Sequence, residues 1–364
     1  MQELAQKDVF VLFEESIKSE ATKTIYKSNL KKYFDFIDND FQDSEKDPRV
    51  IEQKIIEYII FMKQLKKSYF SIRNHISPVL AFYKINDIVL NVNKIVRYIP
   101  AKKRANRDRA YTYEEIQRLL ETVDVRMRAV ILLLASTGMR VGAIPLLRLR
   151  NLEKVNFVQG YGEIYKITVY ENDEEEYVTY CTPECVKAID DYLGMRSRYG
   201  EKLTKESYLI RDQFYIRDPF VISKPTTIKS ISLSNKIRDI ATRAGLRTVE
   251  EFDKTEKHPG SLRKEVPIAH GFRKFFTTQL IESDLKTELR WLLEGHNLKG
   301  NDGNYVRTTE KRLQQEYEKG IDSLTIDPTN RLRQRIEILK IEKSELEMIT
   351  SDVAELKRMM KKRN

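Results

Sequence analysis

The sequence predicts a mainly α-helical protein of the α+β class, with a small β-hairpin, two domains and a long C-terminal helix. Apolar residues recur at helical spacing through most of the chain, whereas residues 162–181 alternate β-branched and aromatic residues around an acidic turn. The chain has 364 residues, which is more than the roughly 250–300 residues at which a single hydrophobic core usually stops growing. We therefore expect two domains and a tail.

The composition is that of a basic globular chain. Lys and Arg total 65 against 55 Asp and Glu, a net charge of +10, which permits a polyanionic partner without requiring one. Cys181 and Cys185 are the only cysteines. Two cysteines are too few for a zinc site or a disulfide scaffold, so we expect reduced thiols in an intracellular protein. The N-terminus does not resemble a signal peptide, and no segment approaches the ~20 apolar residues of a membrane span.

Residues 1–99 are expected to form a small helical bundle. An apolar run at residues 10–13 precedes amphipathic helices that are predicted over residues 21–37, 49–66 and 69–83. The helix over 21–37 carries lysines on its remaining faces. Both a solvated surface and a surface that contacts a polyanion account for these lysines.

Residues 100–110 are predicted to be a basic linker between the two domains. The segment PAKKRANRDR contains five basic residues, one acid and no large apolar side chain. Such a linker suits a chain that wraps around a nucleic-acid duplex, since each phosphate contact adds affinity. A linker that is only solvated is the alternative. The candidate contacts are Lys102, Lys103, Arg104, Arg107 and Arg109.

A second domain is predicted over residues 111–327. Thr112 and Glu115 have the spacing of a capping box, and Gly138 is expected to end an apolar helix that begins near Val125. Arg140 then falls at the start of another predicted helix, where free backbone N–H groups favour an anion. A β-hairpin follows, then helices from Pro183 and over residues 234–244, and residues 247–266 are predicted to be a loop.

Residues 328–364 are predicted to form an amphipathic helix with a coiled-coil-like pattern. Its apolar residues step mostly by three and four, with an interruption at Lys343 and a phase slip between Leu346 and Ile349. This pattern is typical of a coiled coil or of a helix that docks on a partner.

The residues best suited to chemistry lie between positions 269 and 307. His270 precedes Arg273 by three residues, which places both on one face of a helix. His296 and Tyr305 follow. Two imidazoles, a guanidinium and a phenol, without a run of Cys or His suited to a metal, fit the attack of an oxygen nucleophile on a phosphodiester. Taken singly each residue is a weak signal, since Tyr305 is one of 19 tyrosines.

The motifs TGMRVGAI, HGFRKFF, EGHNL and NYVR, in this order, resemble the catalytic boxes of the tyrosine recombinases, the phage-integrase family. The resemblance is most specific from His270 to Tyr305 and extends loosely over residues 10–325. The stretches EYVTYCTPEC and EYEKGIDSLTI are most similar to integrases of archaeal mobile elements. The C-terminal helix lies outside the part of the chain that is common to the family.

The resemblance implies a DNA clamp built from a core-binding domain (1–99) and a catalytic domain (111–327). It implies that Arg140 and Arg273 bind the non-bridging oxygens of the scissile phosphate and that His296 hydrogen-bonds a phosphoryl oxygen. His270 would take or hold the proton of the nucleophile. Tyr305 would form a 3′-phosphotyrosine, so strand cleavage and rejoining would need no metal, ATP or other cofactor.

The implied partners are a specific recombination site in double-stranded DNA and three further copies of the chain. The four copies together would form a tetramer on DNA. No membrane partner is implied, and we expect the protein in the cytoplasm, associated with the nucleoid. A related possibility is a type IB topoisomerase, although those enzymes lack a histidine three residues before the second arginine. The alternative from another class is a recombinase-like DNA-binding or assembly protein with weakened catalysis.

Two assignments depart from the family pattern or have a competitor. The family usually places a general-acid lysine near the hairpin turn, but residues 171–176 of this chain read ENDEEE. Lys166 on the preceding strand is the nearest candidate, an outward-facing lysine is the alternative, and Lys224 and Lys229 stay open. Tyr317 competes with Tyr305 as nucleophile, although its apolar and acidic context favours a packing role.

Overall fold

The computed structural model describes residues 2–37, 47–102, 109–158, 162–212, 218–246, 268–296 and 308–363. These residues belong to two compact units, the first ending within the basic linker and the second starting there. Each unit has its own hydrophobic core. Within the described residues, no helix is long and apolar enough to span a bilayer.

The described part of the first unit contains five helices, which surround an aromatic core. Phe13 and Phe34 each pack edge-on against Phe82, with ring centroids 5.5 Å apart in both pairs. Tyr33 and Ile55 are fully buried beside them. The three helices predicted over 21–37, 49–66 and 69–83 are confirmed. The helices are α1 (Gln2–Glu15), α2 (Glu20–Phe36), α3 (Pro48–Gln64), α4 (Tyr69–Ile85) and α5 (Val92–Val96).

The second unit contains a three-stranded antiparallel sheet in the order β1-β2-β3. Its strands are β1 (Leu152–Asn156), β2 (Glu163–Val169) and β3 (Tyr177–Tyr180). The predicted hairpin is confirmed as β2 and β3, in a register that pairs Lys166 with Tyr180 and Val169 with Tyr177. Strand β1 was not predicted, because its apolar residues Leu152 and Val155 are three apart and give no alternation.

The helices of this unit pack around α7, which is buried along most of its length. Helix α7 contacts both α8 and α11, and α10 packs against α11. The helices are α6 (Tyr113–Glu121), α7 (Val125–Thr137), α8 (Pro183–Arg198), α9 (Pro219–Ser223), α10 (Ser230–Arg243), α11 (Ile268–Glu282), α12 (Thr287–Leu293), α13 (Glu310–Glu318) and α14 (Ile321–Leu324). The loop predicted over residues 247–266 lies outside the described residues.

Two predicted helix boundaries are confirmed in atomic detail. The Thr112 hydroxyl accepts a hydrogen bond from the Glu115 N–H, while the Glu115 carboxylate accepts one from the Thr112 N–H. Gly138 ends α7 in the left-handed region, with a φ of 61°. A Cβ at Gly138 would lie 2.3 Å from a ring carbon of Phe276 on α11. Glycine therefore permits both the turn and the close approach of α11.

The segment after Gly138 differs from its prediction. Residues Val141–Leu146 form a 3-10 helix, where an α-helix was expected. Pro145 explains the difference, since its ring has no N–H to donate and clashes with the preceding turn of an α-helix. Arg140 is the residue immediately before this short helix, in extended conformation.

The predicted C-terminal helix is confirmed as α15 (Pro328–Arg363). The Glu184 carboxylate accepts hydrogen bonds from the N–H groups of Ile326 and Asp327, at 2.8 and 3.2 Å, just before the helix begins. Leu339 and Leu346 are 56% and 67% exposed. The coiled coil itself stays a prediction.

A buried ion network holds the end of α8 to the following segment. The Glu201 carboxylate is 3% exposed and accepts hydrogen bonds from Arg196 at 2.6 and 3.0 Å. It also accepts one from Arg211 at 2.8 Å. Both guanidiniums are almost fully buried. Glu201 therefore compensates two charges that have lost contact with water.

We expect Glu201→Gln to lower the free energy of unfolding at pH 7 by about 3 kcal/mol, because it leaves buried guanidinium charge uncompensated. Burial alone would raise the pKa of Glu201, but the hydrogen bonds from Arg196 and Arg211 outweigh it, so the pKa is lowered. The carboxylate thus stabilises the fold above its unfolded pKa and loses this contribution as the pH falls through the folded pKa. Urea unfolding at pH 7 and at lower pH measures both effects.

The matched control is Glu206→Gln, since Glu206 is a solvent-exposed carboxylate that pairs with Arg150. Its replacement is expected to change the stability by less than about 1 kcal/mol. Equal losses in the two variants would contradict the role given to the buried network.

Candidate active site

Arg273 lies at the centre of a polar cluster in the second unit. It projects from α11 and is 7% exposed. Its Nη1 donates a hydrogen bond to the carbonyl oxygen of Gly138 at 2.9 Å, and its Nη2 donates to the carbonyl oxygen of Glu294 at 2.7 Å. Nη2 also lies 3.0 Å from Nε2 of His296. The guanidinium therefore joins the end of α7 to the end of α12.

His296 reaches Arg273 because of the tight turn that follows α12. Gly295 has a φ of 65°, which favours glycine, and a Cβ at this position would lie 2.5 Å from the ring of Tyr177. Tyr177, at the start of β3, therefore packs directly against the residue that precedes His296. The hairpin, α12 and α11 meet at this point.

Glu294 supports the histidine from behind. Its carboxylate is 2% exposed and lies 3.0 Å from Nδ1 of His296. The carboxylate also accepts a hydrogen bond from the Thr277 hydroxyl at 3.0 Å and one from Arg290 at 2.9 Å. Three groups, the His296 ring, the Thr277 hydroxyl and the Arg290 guanidinium, therefore contact this buried carboxylate.

Arg140 is the more exposed of the two arginines in the cluster. Its guanidinium lies 3.6 Å from the carboxylate of Glu175, and both side chains are largely solvent-accessible. Glu175 belongs to the acidic hairpin turn. Arg140 also lies beside Tyr170. Burial raises the pKa of this phenol, and the Arg140 guanidinium acts to lower it. The Arg140 side chain is 46% exposed, so it is accessible to solvent.

Two arginines and the buried Glu294 carboxylate act in opposite directions on the pKa values of the cluster. Burial lowers the pKa of Arg273, and the nearby Arg140 lowers it further, while Glu294 and Tyr177 raise it. Burial also lowers the pKa of His296, as do Arg273 and Arg140, against the opposing effect of Glu294. Two guanidiniums and one partly exposed imidazole are side chains whose chemistry suits a phosphate group.

The tyrosines of the hairpin remain neutral in this surrounding. Burial raises the pKa of Tyr177 to about 12, with Arg273 and Arg140 acting in the opposite direction. Among the residues that the structure describes, no group of three or more His, Cys, Asp or Glu side chains is placed to hold a metal ion.

Comparison with known proteins shows which solved structures have a similar fold. No family model and no curated protein matches the sequence. Among solved structures, the Tn1549 transposon integrase in complex with circular intermediate DNA has a TM-score of 0.53 at 17% identity, over 85% of this chain and 98% of that one. A lambda integrase dimer bound to a COC′ core site has a TM-score of 0.52 at 14% identity, over 87% and 95%. The chain has the tyrosine-recombinase fold.

The structure brings three of the predicted site residues together. Arg140, Arg273 and His296 share one cluster, although they lie in three separate segments of the sequence. His270 lies in the first turn of α11, one turn before Arg273, and is exposed. Tyr305 falls outside the described residues. The roles of all five residues stay predictions.

Lys166 does not share the contacts of the arginine pair. Its ammonium group lies 2.6 Å from the Glu310 carboxylate and 3.3 Å from that of Glu153, and the hydrogen bond with Glu310 is the main cause of its raised pKa. Lys224 lies over the ring of Phe220. The general-acid lysine stays a prediction.

Tyr317 is fully buried and donates a hydrogen bond to the carbonyl oxygen of Ser136 at 2.8 Å. Burial raises the pKa of this phenol well above its ordinary value. The packing role expected for Tyr317 is confirmed, which disfavours it as a nucleophile.

The basic linker is described only at its ends. Lys102 is exposed and lies 5.3 Å from the centroid of the Phe70 ring. The Arg109 guanidinium forms a bidentate pair with Glu115, at 2.6 and 2.7 Å, and thereby fixes the first helix of the second unit. Lys103, Arg104 and Arg107 lie outside the described residues. DNA binding by this segment stays a prediction.

Glu294, Tyr177 and Tyr170 are site residues that the sequence does not predict. An acid just after a helix reads as a surface residue, and nothing in the letters EGH indicates that Glu294 is buried. The alternation of β3 places Tyr177 on one face of the sheet, but it does not identify the element that covers this face. Only the tertiary structure brings these side chains to the arginines.

Proposed function

We propose that the protein is a site-specific DNA recombinase that cleaves and rejoins strands by transesterification through Tyr305. The observation that carries the proposal is the cluster of Arg140, Arg273 and His296 in a chain with the tyrosine-recombinase fold. The product of cleavage is a 3′-phosphotyrosine and a free 5′ hydroxyl. Because the protein–DNA bond conserves the energy of the phosphodiester, religation needs neither ATP nor a metal.

The two arginines stabilise the phosphate as it is attacked. Guanidiniums stay charged and present several N–H donors in one plane, which suits two oxygens of one phosphate. Arg273 is held in place by two backbone carbonyls, so its orientation does not depend on the DNA. Preorganised donors of this kind stabilise the charge that develops in the transition state. Arg140 contributes from the exposed side of the cluster.

His270 and Lys166 handle the protons in this proposal. His270 takes or holds the proton of the Tyr305 hydroxyl, a role that suits an imidazole because this group exchanges protons near neutral pH. Lys166 is the candidate donor to the leaving 5′ oxygen, and it must exchange its bond with Glu310 for that oxygen. The raised pKa keeps its ammonium protonated until then.

The described residues on either side of Tyr305 in the sequence are held in place by hydrogen bonds. On one side, His296 is fixed to Arg273 and Glu294. On the other, α13 begins at Glu310, whose carbonyl oxygen accepts a hydrogen bond from the Tyr180 hydroxyl of the sheet at 3.1 Å. Tyr305 lies in the sequence between these two residues, nine positions after His296 and five before Glu310, which supports its role in this proposal.

We further propose that the partner is a specific recombination site in duplex DNA and that four copies assemble on two sites. The similarity in fold to a lambda integrase tetramer bound to a Holliday junction, with a TM-score of 0.51 at 16% identity over 83% of this chain and 77% of that one, supports this assembly. The basic linker, including Lys102, supplies phosphate contacts, and the exposed apolar residues of α15 face another copy. In this proposal the protein lies in the cytoplasm with the nucleoid. The number of copies on the DNA is tested by measuring the mass of the protein–DNA complex.

A second candidate function is DNA binding without cleavage. The observation that favours it is the contact between Arg140 and Glu175, because an acid from the hairpin turn occupies one phosphate clamp. Both side chains are exposed, so a phosphate can displace the carboxylate at small cost. For this reason the enzyme is the better supported of the two.

The test is a suicide substrate, in which a nick beside the scissile phosphate traps the cleaved strand. The duplex is chosen by selecting bound fragments from a random library, and the reaction contains EDTA. We expect a protein–DNA adduct that survives denaturing electrophoresis. Absence of the adduct with every selected fragment would favour the binding protein, and a strict Mg²⁺ requirement would contradict the mechanism.

A further inference from the structure

The two ring nitrogens of His296 face groups of opposite hydrogen-bonding character. Nδ1 lies 3.0 Å from a carboxylate oxygen of Glu294, which only accepts hydrogen bonds. Nε2 lies 3.0 Å from Nη2 of Arg273, which only donates. A neutral imidazole has one donor and one acceptor nitrogen. Only the tautomer with its proton on Nδ1 satisfies both neighbours.

We propose that Glu294 is a positioning residue, which fixes His296 as the Nδ1–H tautomer and supplies the counter-charge when the ring takes up a second proton at Nε2. The inference rests on the proposed function, in which His296 hydrogen-bonds an oxygen of the scissile phosphate. Glu294 itself does not contact the DNA, since its carboxylate is buried behind the ring.

The proton balance follows from the geometry. In the free protein the Nε2 lone pair accepts a hydrogen bond from Arg273, and a lone pair cannot donate to a phosphate. When the phosphate arrives, one of its oxygens takes the Arg273 N–H. Nε2 then binds a proton from solvent and donates it in a hydrogen bond to another phosphate oxygen. One proton is taken up per site on DNA binding, forming the Nε2–H bond, and is returned on release, and no bond between heavy atoms changes.

The surrounding charges make Glu294 necessary for this step. Burial disfavours a second proton on His296, and so do Arg273 from α11, Arg140 from the segment after α7 and Arg290 from α12. Glu294 is the group that favours it. Its carboxylate lies within hydrogen-bonding distance of both Arg290 and the ring, so it acts against the cations at close range.

The remaining groups around the ring do not supply this charge. Tyr177 packs against Gly295 and, like Tyr170, has a raised pKa, so both phenols are neutral near pH 7. Glu175 on the hairpin turn is exposed and pairs with Arg140. The Thr277 hydroxyl donates to Glu294 and thereby orients the carboxylate.

Two substitutions with opposite expected effects test the proposal. If cleavage requires a protonated His296, its rate falls as the pH rises through the pKa of this residue in the DNA complex. Glu294→Gln removes the counter-charge, so we expect the midpoint of this alkaline limb to move down by about one pH unit. Arg290→Gln removes an opposing cation and frees the Glu294 charge, so the midpoint moves up. Single-turnover cleavage across the pH range measures both shifts.

A purely structural role for Glu294 predicts another result. Both variants would then lose activity by the same factor at every pH, with the midpoint unmoved, and this outcome would overturn the proposal. If Glu294→Gln does not fold, Arg290→Gln still gives the sign of the shift. Glu206→Gln is the control, because it removes a carboxylate that pairs with Arg150 and has no contact with His296, so its midpoint stays in place.

A spectroscopic measurement separates this inference from the proposed function. The chain has four histidines, and His296→Gln assigns the ¹⁵N resonances of the His296 ring in the free protein. We expect a protonated Nδ1 and a bare Nε2 near pH 7, and a loss of this pattern in Glu294→Gln. A ring protonated at Nε2 would overturn the inference. This result does not depend on whether the protein cleaves DNA.

Discussion

Replacement of Arg273 by lysine is expected to reduce the single-turnover rate of strand cleavage by about 10²–10³-fold. The guanidinium is held by the carbonyl oxygens of Gly138 and Glu294, and the same planar group must also present N–H donors to the phosphate. A lysine ammonium is a single point charge and cannot span these positions. The charge is retained in this variant, so the loss reports the geometry of the donors.

The matched control for Arg273 is Arg198→Lys at the exposed end of α8, which we expect to retain most of the wild-type rate. Thermal unfolding confirms that both variants are folded, and a gel shift measures non-covalent DNA binding. If Arg273→Lys cleaves DNA at a rate within about threefold of the wild-type rate, Arg273 does not have an electrostatic role of the usual size.

Replacement of Tyr305 by phenylalanine is expected to remove covalent adduct formation completely, while the protein still binds its site. The variant lacks only the hydroxyl that attacks the phosphate, so the loss cannot be attributed to the size of the side chain. The measurement is adduct yield on the suicide substrate after a long incubation, alongside a gel shift with the same duplex.

Tyr317→Phe is the comparison that makes the Tyr305 result specific. This hydroxyl donates to the Ser136 carbonyl inside the core. Its loss is expected to lower the free energy of unfolding by about 1 kcal/mol without abolishing the adduct. Persistence of the adduct in Tyr305→Phe together with its loss in folded Tyr317→Phe would reverse the assignment.

Much of the fold was predictable because its signals are local. The capping box at Thr112 and Glu115, the helix end at Gly138 and the hairpin of β2 and β3 each depend on residues that are close in sequence. The departures also have local causes. Pro145 turns the segment after Arg140 into a 3-10 helix, and β1 lacks the alternation that identifies a strand.

The candidate site was predictable only in part, because its supporting residues depend on tertiary packing. Arg140, Arg273 and His296 were predicted from spacing and from resemblance, and the structure brings them together. The buried position of Glu294 behind the imidazole depends on how α12 packs, and no neighbouring letter indicates it. For Lys166, the strand was predicted correctly from local sequence. Its pairing with Glu310, 144 residues away, was not predicted.

The most direct test of the central claim is to identify the residue that carries the DNA. The trapped adduct is digested with nuclease and protease, and the peptide that bears the residual nucleotide is sequenced by mass spectrometry. We predict a phosphodiester-linked nucleotide on Tyr305. Attachment to Tyr317, to any other residue, or to no residue despite specific binding of the selected duplex would contradict the account.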